Sequence, residues 1–123
     1  CWPRTLSGKD IHGGVIKTSD GGRTWKQVFD DRVRVNSAGA DPQKPECIYI
    51  NTFQNAAYRS DDSGESWKRI EGYRFKWGQR AIPDINNTGM LFLTTYGGSV
   101  FYGPADGVQN ASDDIENMPE GWW

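Results

Sequence analysis

The residues of this 123-residue chain best suited to ligand chemistry are a scattered set of rings and guanidinium groups: Phe53, Arg74, Trp77, Arg80 and Tyr96. An aromatic ring can lie flat on the apolar face of a sugar, and an arginine fork can grip a carboxylate with two hydrogen bonds. Trp77 and Arg80 are the leading candidates of the five. Cleaving a glycosidic bond would require more, namely two carboxyl groups facing one bond. The carboxylates with the most distinctive setting, Asp20 and Asp62, stand in turn sequences that would occupy their oxygens as backbone acceptors. Asp61, Glu65 and Glu71 are expected at the surface. No catalytic residue is therefore assigned within the chain. His12, the single histidine, has no second His, Cys or carboxylate cluster at ligand spacing, so neither a metal site nor a cofactor is expected.

Two copies of one short pattern must position these residues. Thr18-Ser19-Asp20-Gly21-Gly22-Arg23-Thr24-Trp25 and Ser60-Asp61-Asp62-Ser63-Gly64-Glu65-Ser66-Trp67 both read [Ser/Thr]-x-Asp-x-Gly-x-[Ser/Thr]-Trp. Each part of the pattern suits a hairpin turn. The Asp accepts backbone N–H groups, the Gly supplies backbone angles closed to other residues, and the Trp lays an apolar surface over the return strand. β-rich runs flank both copies, Gly14–Lys17 and Lys26–Val28 around the first, Ala57–Arg59 and Lys68–Ile70 around the second. Asp20 and Asp62 lie 42 residues apart, and Asp41–Arg59 aligns without a gap on Asp84–Tyr102 at an offset of 43. Such a period is expected of a repeated four-stranded unit.

The pattern resembles the Asp-box, or BNR repeat, of sialidase-like β-propellers, a superfamily that includes sialidases, xyloglucan-active hydrolases, sortilin-type receptor ectodomains and photosystem assembly factors. The resemblance covers about residues 12–104. It implies an all-β fold, a segment of an Asp-box propeller made of four-stranded antiparallel blades. The box residues Thr18, Asp20, Gly22, Thr24 and Trp25, and Ser60, Asp62, Gly64, Ser66 and Trp67, are then structural. Residues 1–13 are read as a loop or connection, 14–28 as the outer hairpin of a first partial blade, and 29–70 as a complete blade. Residues 71–104 make a third blade whose box is lost, since Ala105 stands at the Asp position and Asn110 at the Trp position. The acidic stretch 105–123 is read as a tail. In this superfamily the face opposite the boxes resembles a ligand-binding surface, and it would carry Phe53, Tyr96 and the run Tyr73–Arg80.

Composition agrees with strands. The chain has 15 Gly, 6 Trp, 5 Tyr and 5 Phe against three Leu, and no sustained helical periodicity. A formal net charge of −2 gives no reason to expect nucleic acid as a partner, and no membrane span is visible. The Asn86-Asn87-Thr88 and Asn110-Ala111-Ser112 triplets match the glycosylation sequon. Cys47 is expected as a buried free thiol in an apolar strand, and Cys1 as a residue inside a longer protein rather than a lipidated terminus.

About three blades cannot close a ring of roughly four to eight. The rest is expected from the same precursor, another chain or self-association. The function expected is a non-catalytic scaffold or binding surface for carbohydrate or protein within an exported protein, extracellular or periplasmic. The alternative is part of a sialidase- or xyloglucanase-type glycoside hydrolase whose catalytic residues lie mostly outside the chain. An assembly factor of the photosystem type would need an arginine-rich basic face that this composition does not supply.

Overall fold

The computed structural model describes residues 13–53, 56–73, 75 and 77–108 in full, with the backbone of 4–6 and 9–11. Among these residues every element is a strand and none is a helix: β1 (Arg4–Leu6), β2 (Lys9–Ile11), β3 (Val15–Lys17), β4 (Lys26–Phe29), β5 (Val35–Asp41), β6 (Lys44–Thr52), β7 (Ala57–Ser60), β8 (Lys68–Arg69), β9 (Gly78–Pro83), β10 (Met90–Thr95) and β11 (Val100–Pro104). They form four antiparallel sheets in chain order: β1-β2, β3-β4, β5-β6-β7-β8 and β9-β10-β11. One sequence expectation needs correcting at once. Residues 1–13, read as a loop, contain the β1-β2 hairpin, with Arg4 opposite Ile11 and Leu6 opposite Lys9. Its polar composition hides it, because a three-residue strand is too short to show an alternating pattern.

The central strands explain themselves by burial on both faces. In β6, Cys47, Tyr49, Ile50, Asn51 and Thr52 are all buried, so the strand reads as a nearly continuous apolar run instead of alternating. Leu91 and Leu93 in β10 are fully buried, and with Tyr49, Ala57, Ile70, Tyr73, Phe75 and Ala81 they form one core between the β5-β6-β7-β8 and β9-β10-β11 sheets. Burying each such large side chain stabilises the fold by roughly 1.5–3 kcal/mol. Phe101 packs on that core with Tyr73 at 6.4 Å and Phe75 at 6.2 Å. The β3-β4 and β5-β6-β7-β8 sheets meet through rings, with Phe29 5.0 Å from Tyr58 and 5.4 Å from Trp67. Cys47 is a buried free thiol.

Two asparagines fasten the β5-β6-β7-β8 sheet to the β9-β10-β11 sheet. Asn51 is fully buried and its side-chain amide donates to the carbonyls of Arg80 (3.0 Å) and Thr94 (3.2 Å). Asn36 donates to the carbonyl of Gly78. Both inner strands are kinked at the same place in the repeat. Val35 and Ser37 pair with consecutive residues of β6, which leaves Asn36 as an extra residue; Gly78 and Arg80 pair with consecutive residues of β10, which leaves Gln79 extra. An extra residue of this kind bends its strand and re-aims the side chains beyond it.

The two turns that repeat the pattern share one hydrogen-bond scheme. In the first, Thr18 Oγ1 donates to Asp20 (2.8 Å), Gly22 N donates to Thr18 Oγ1 (2.9 Å), and Thr24 gives its N–H (2.9 Å) and hydroxyl (2.6 Å) to the two Asp20 oxygens. In the second, Ser60 Oγ donates to Asp62 (2.7 Å), Gly64 N to Ser60 Oγ (2.7 Å), and Ser66 N and Oγ to Asp62 (2.8 and 2.5 Å). Gly22 and Gly64 sit at φ of 94° and 91°, a left-handed conformation that glycine adopts without strain. Hydrogen bonds from Thr24 and Ser66 hold the Asp20 and Asp62 carboxyls down to about 2.

Where a third copy would fall, Ala105 is buried and its N–H donates to the Gly89 carbonyl. Residues 104–108 close a tight turn there, and Val108 N donates back to Glu71 O at 2.9 Å. Among the described residues this sheet has three strands.

Candidate functional site

At one end of the sheets, a ladder of three main-chain hydrogen bonds joins four segments. Phe53 N donates to Arg34 O (2.9 Å), Trp77 N to Phe53 O (2.8 Å), and Tyr96 N to Trp77 O (2.9 Å). Each segment follows or precedes a strand, so the ladder ties the β6 end, the β9 start and the β10 end into one rim. Three of the five candidate rings and cations, Phe53, Trp77 and Tyr96, are thereby brought side by side.

The rim is built to present rings. Phe53 and Trp77 have centroids 6.5 Å apart and planes tilted by 34°. The Arg34 guanidinium lies 3.9 Å from the Phe53 ring centroid, a cation against an aromatic face. Trp77 has a φ of +56°, a conformation that costs a bulky residue energy, and the hydrogen bonds on both sides of it hold it there. Trp77 is 36% and Tyr96 55% exposed. Thr52, fully buried, exchanges hydrogen bonds with Ala56 (2.6 Å from its hydroxyl, 3.1 Å from its N–H) and fixes the loop that carries Phe53.

Arg80 is placed elsewhere. It lines a cleft of about 590 Å³ between β5 and β9, together with Ser37, Gly39, Pro42, Ile82 and Ile85. The extra residue Gln79 separates it from Trp77, and the Arg80 main-chain N–H donates to Thr94 Oγ1 at 3.0 Å. Ser37, 43 residues earlier, occupies the equivalent place after its own extra residue, and its hydroxyl is buried there without a partner among the described residues. Arg74 lies outside the described residues, as do His12, Cys1 and the Asn110 sequon. Arg34, not among the sequence candidates, belongs to the rim. The signal was there in Arg32-Val33-Arg34-Val35, where a cation interrupts a β-branched run.

Six of the described carboxylates are held by hydrogen bonds or ion pairs. Asp20 and Asp62 serve their turns. Asp30 is held down to about 2 by its side-chain bond to Arg32, and Asp84 is lowered by bonds from Asn86 N, Tyr102 hydroxyl and Asn87. Lys26 lowers Glu65. Burial works to raise Asp61, but hydrogen bonds from Cys47 and Arg59 outweigh it and the net shift is downward. A general acid in glycoside cleavage needs the opposite, a carboxyl held up towards neutrality. Among the described residues no cluster of three or more His, Cys, Asp or Glu side chains could hold a metal, and no helix is long and apolar enough to cross a membrane.

Fold and rim together define an all-β chain of short antiparallel sheets with an aromatic edge. Over 119 aligned residues, 86% of the chain, it is 29% identical to a probable oligoxyloglucan-reducing end-specific xyloglucanase of Neosartorya fischeri. The chain spans 14% of that protein's length. No family model matches the chain, and no solved structure matches it.

Proposed function

We propose that this chain is a segment of an Asp-box β-propeller in an exported, xyloglucan-acting glycoside hydrolase, and that its own part there is to hold polysaccharide. Residues 14–28 would be an outer hairpin, 29–70 a complete blade and 71–104 a third blade, with the two Asp-turns as structural boxes. The shared hydrogen-bond scheme of those turns and the sequential order β5-β6-β7-β8 support the blade reading. The likeness to a xyloglucanase supports a glycoside hydrolase over a receptor or an assembly factor.

The observation that carries the binding role is the rim itself: Phe53, Trp77 and Tyr96 linked through one main-chain ladder, with Trp77 strained yet exposed. Rings so held lose little freedom when a sugar stacks on them, which favours affinity. The six lowered carboxyls, Asp20, Asp30, Asp61, Asp62, Glu65 and Asp84, are ill suited to act as the acid of glycoside cleavage. Calorimetric titration with xyloglucan oligosaccharides, against an unrelated galactan, tests the reading. Saturable binding of the xyloglucan series alone is expected; equal or absent binding of both would contradict it.

A further inference from the structure

We propose that the Thr95 hydroxyl is a positioning group of the rim: it fixes the loop of residues 96–99, and with it the Tyr96 ring, so that it governs sugar affinity without touching the sugar. This role rests on the rim reading given above and deepens it.

Two threonines stand at the same place in the repeat. Thr52 ends β6 just before Phe53, and Thr95, 43 residues on, ends β10 just before Tyr96. Each turns its hydroxyl onto the carbonyl four residues ahead, Thr52 to Ala56 O at 2.6 Å and Thr95 to Ser99 O at 2.9 Å. Each therefore closes a loop that begins with a rim ring. In both loops the N–H of that ring residue enters the main-chain ladder.

The two closures differ in strength. Thr52 is fully buried; its hydroxyl also accepts Ala56 N (3.3 Å), and its N–H donates to Ala56 O (3.1 Å). Thr95 is partly exposed, and its hydroxyl bond is the one side-chain tie across residues 96–99 among the described residues.

That loop also has the greater need of a tie. Between Tyr96 and Ser99 it consists of Gly97 and Gly98, which bring no side chain to pack and leave the backbone its widest freedom. It folds closely over the threonine, since a Cβ at Gly98 would stand 2.8 Å from Thr95 Oγ1. Ser99, which supplies the acceptor, has a φ of 102°, a conformation strained for a residue with a Cβ. The hydroxyl bond offsets that strain. Without it Ser99 can relax, and the two glycines let the movement reach Tyr96.

The rings on the rim are not backed alike. Phe53 has the Arg34 guanidinium and Trp77 against it. Tyr96 has no aromatic neighbour among the described residues and is 55% exposed, so its backbone decides where the ring lies. That backbone is held before the ring by Trp77 O and after it by the threonine. A ring already fixed loses less freedom when a sugar stacks on it.

The test is a double-mutant cycle in the native protein. A xyloglucan oligosaccharide is titrated calorimetrically into the parent, Thr95→Val, Thr95→Ser, Tyr96→Ala and the Thr95→Val/Tyr96→Ala double variant, after the melting of each has been measured. Thr95→Val should weaken binding about fivefold, the worth of one hydrogen bond. Thr95→Ser keeps the hydroxyl and should bind within about twofold of the parent. In the Tyr96→Ala background Thr95→Val should add nothing, because the two residues act as one unit. Amide exchange at residues 97–99 should quicken in Thr95→Val and not in Thr95→Ser. Parent affinity in Thr95→Val, an equal loss in Thr95→Ser, or the full fivefold loss on top of Tyr96→Ala would each overturn the inference and leave the rim reading intact. So would failure of Thr95→Val to fold, since the hydroxyl would then serve the sheet and not the ring. Absence of binding by the parent would overturn the rim reading, and the inference with it.

Discussion

Trp67 gives its indole N–H to the carbonyl of Val28 at 2.6 Å, 39 positions earlier in the chain, and so fastens one sheet's turn to the last strand of the sheet before it. The ring adds an edge-on contact with Phe29. Trp67→Phe keeps a ring and removes the donor, which should cost about 1–2 kcal/mol in urea unfolding. Trp67→Ala removes both and should cost about 3 kcal/mol. Trp25→Ala, in the 123-residue chain, should stay within about 0.5 kcal/mol of the parent.

Acid should reach the two Asp-turns before it reaches the core. Folding lowers the Asp62 carboxyl from its ordinary 3.8 to about 2, through bonds from Ser66 and Ser60. A lowered carboxyl stabilises the fold fully above its unfolded value, and that contribution fades as the pH falls from 3.8 through about 2. Urea midpoints measured between neutrality and pH about 2 should therefore decline at the acid end in the parent. Asp62→Asn should start lower at neutral pH and decline less, because its amide does not titrate.

Gly78 marks a tight approach of the β9-β10-β11 sheet to the β5-β6-β7-β8 sheet. A Cβ there would run into the Asn51 amide oxygen, the Thr52 carbonyl and the Phe75 ring, two of them on a buried strand that cannot give way. Gly78→Ala should destabilise by about 3 kcal/mol or prevent folding. Soluble yield and urea unfolding would show which.

Asn51 offers a polar counterpart to that steric test. Asn51→Ala removes two donors that hold the carbonyls of Arg80 and Thr94, and leaves both short of a partner. A loss of about 1–3 kcal/mol is expected. Because the bonds join sheets rather than strands within one sheet, amide exchange should quicken in β9 and β10 more than in β7.

Much of this was readable from the residues, and the exceptions have physical causes. The apolar runs Cys47–Phe53 and Met90–Tyr96 announced β6 and β10, because a strand covered on both faces must be apolar throughout. The turns were readable because Asp, Gly and hydroxyl residues at fixed offsets have few other uses. The rim was half visible: Phe53, Trp77 and Tyr96 could be placed at one end by counting strands. Arg80 could not, because the extra residue Gln79 breaks the alternation that counting assumes. Arg34 was missed because its partner is the Phe53 ring, 19 positions away in sequence. The hairpin of residues 4–6 and 9–11 carries no alternation long enough to read.

The most direct test of the account is the affinity of the native protein for a xyloglucan oligosaccharide, compared with that of Trp77→Ala. Trp77 is 36% exposed and also packs against Phe53, so the melting of the variant is measured beside its affinity and binding is compared where both proteins are folded. The variant's affinity should fall about tenfold, the loss of one stacked ring at roughly 1.4 kcal/mol. Unchanged affinity in a variant of unchanged stability would contradict the assignment of the rim as the binding surface.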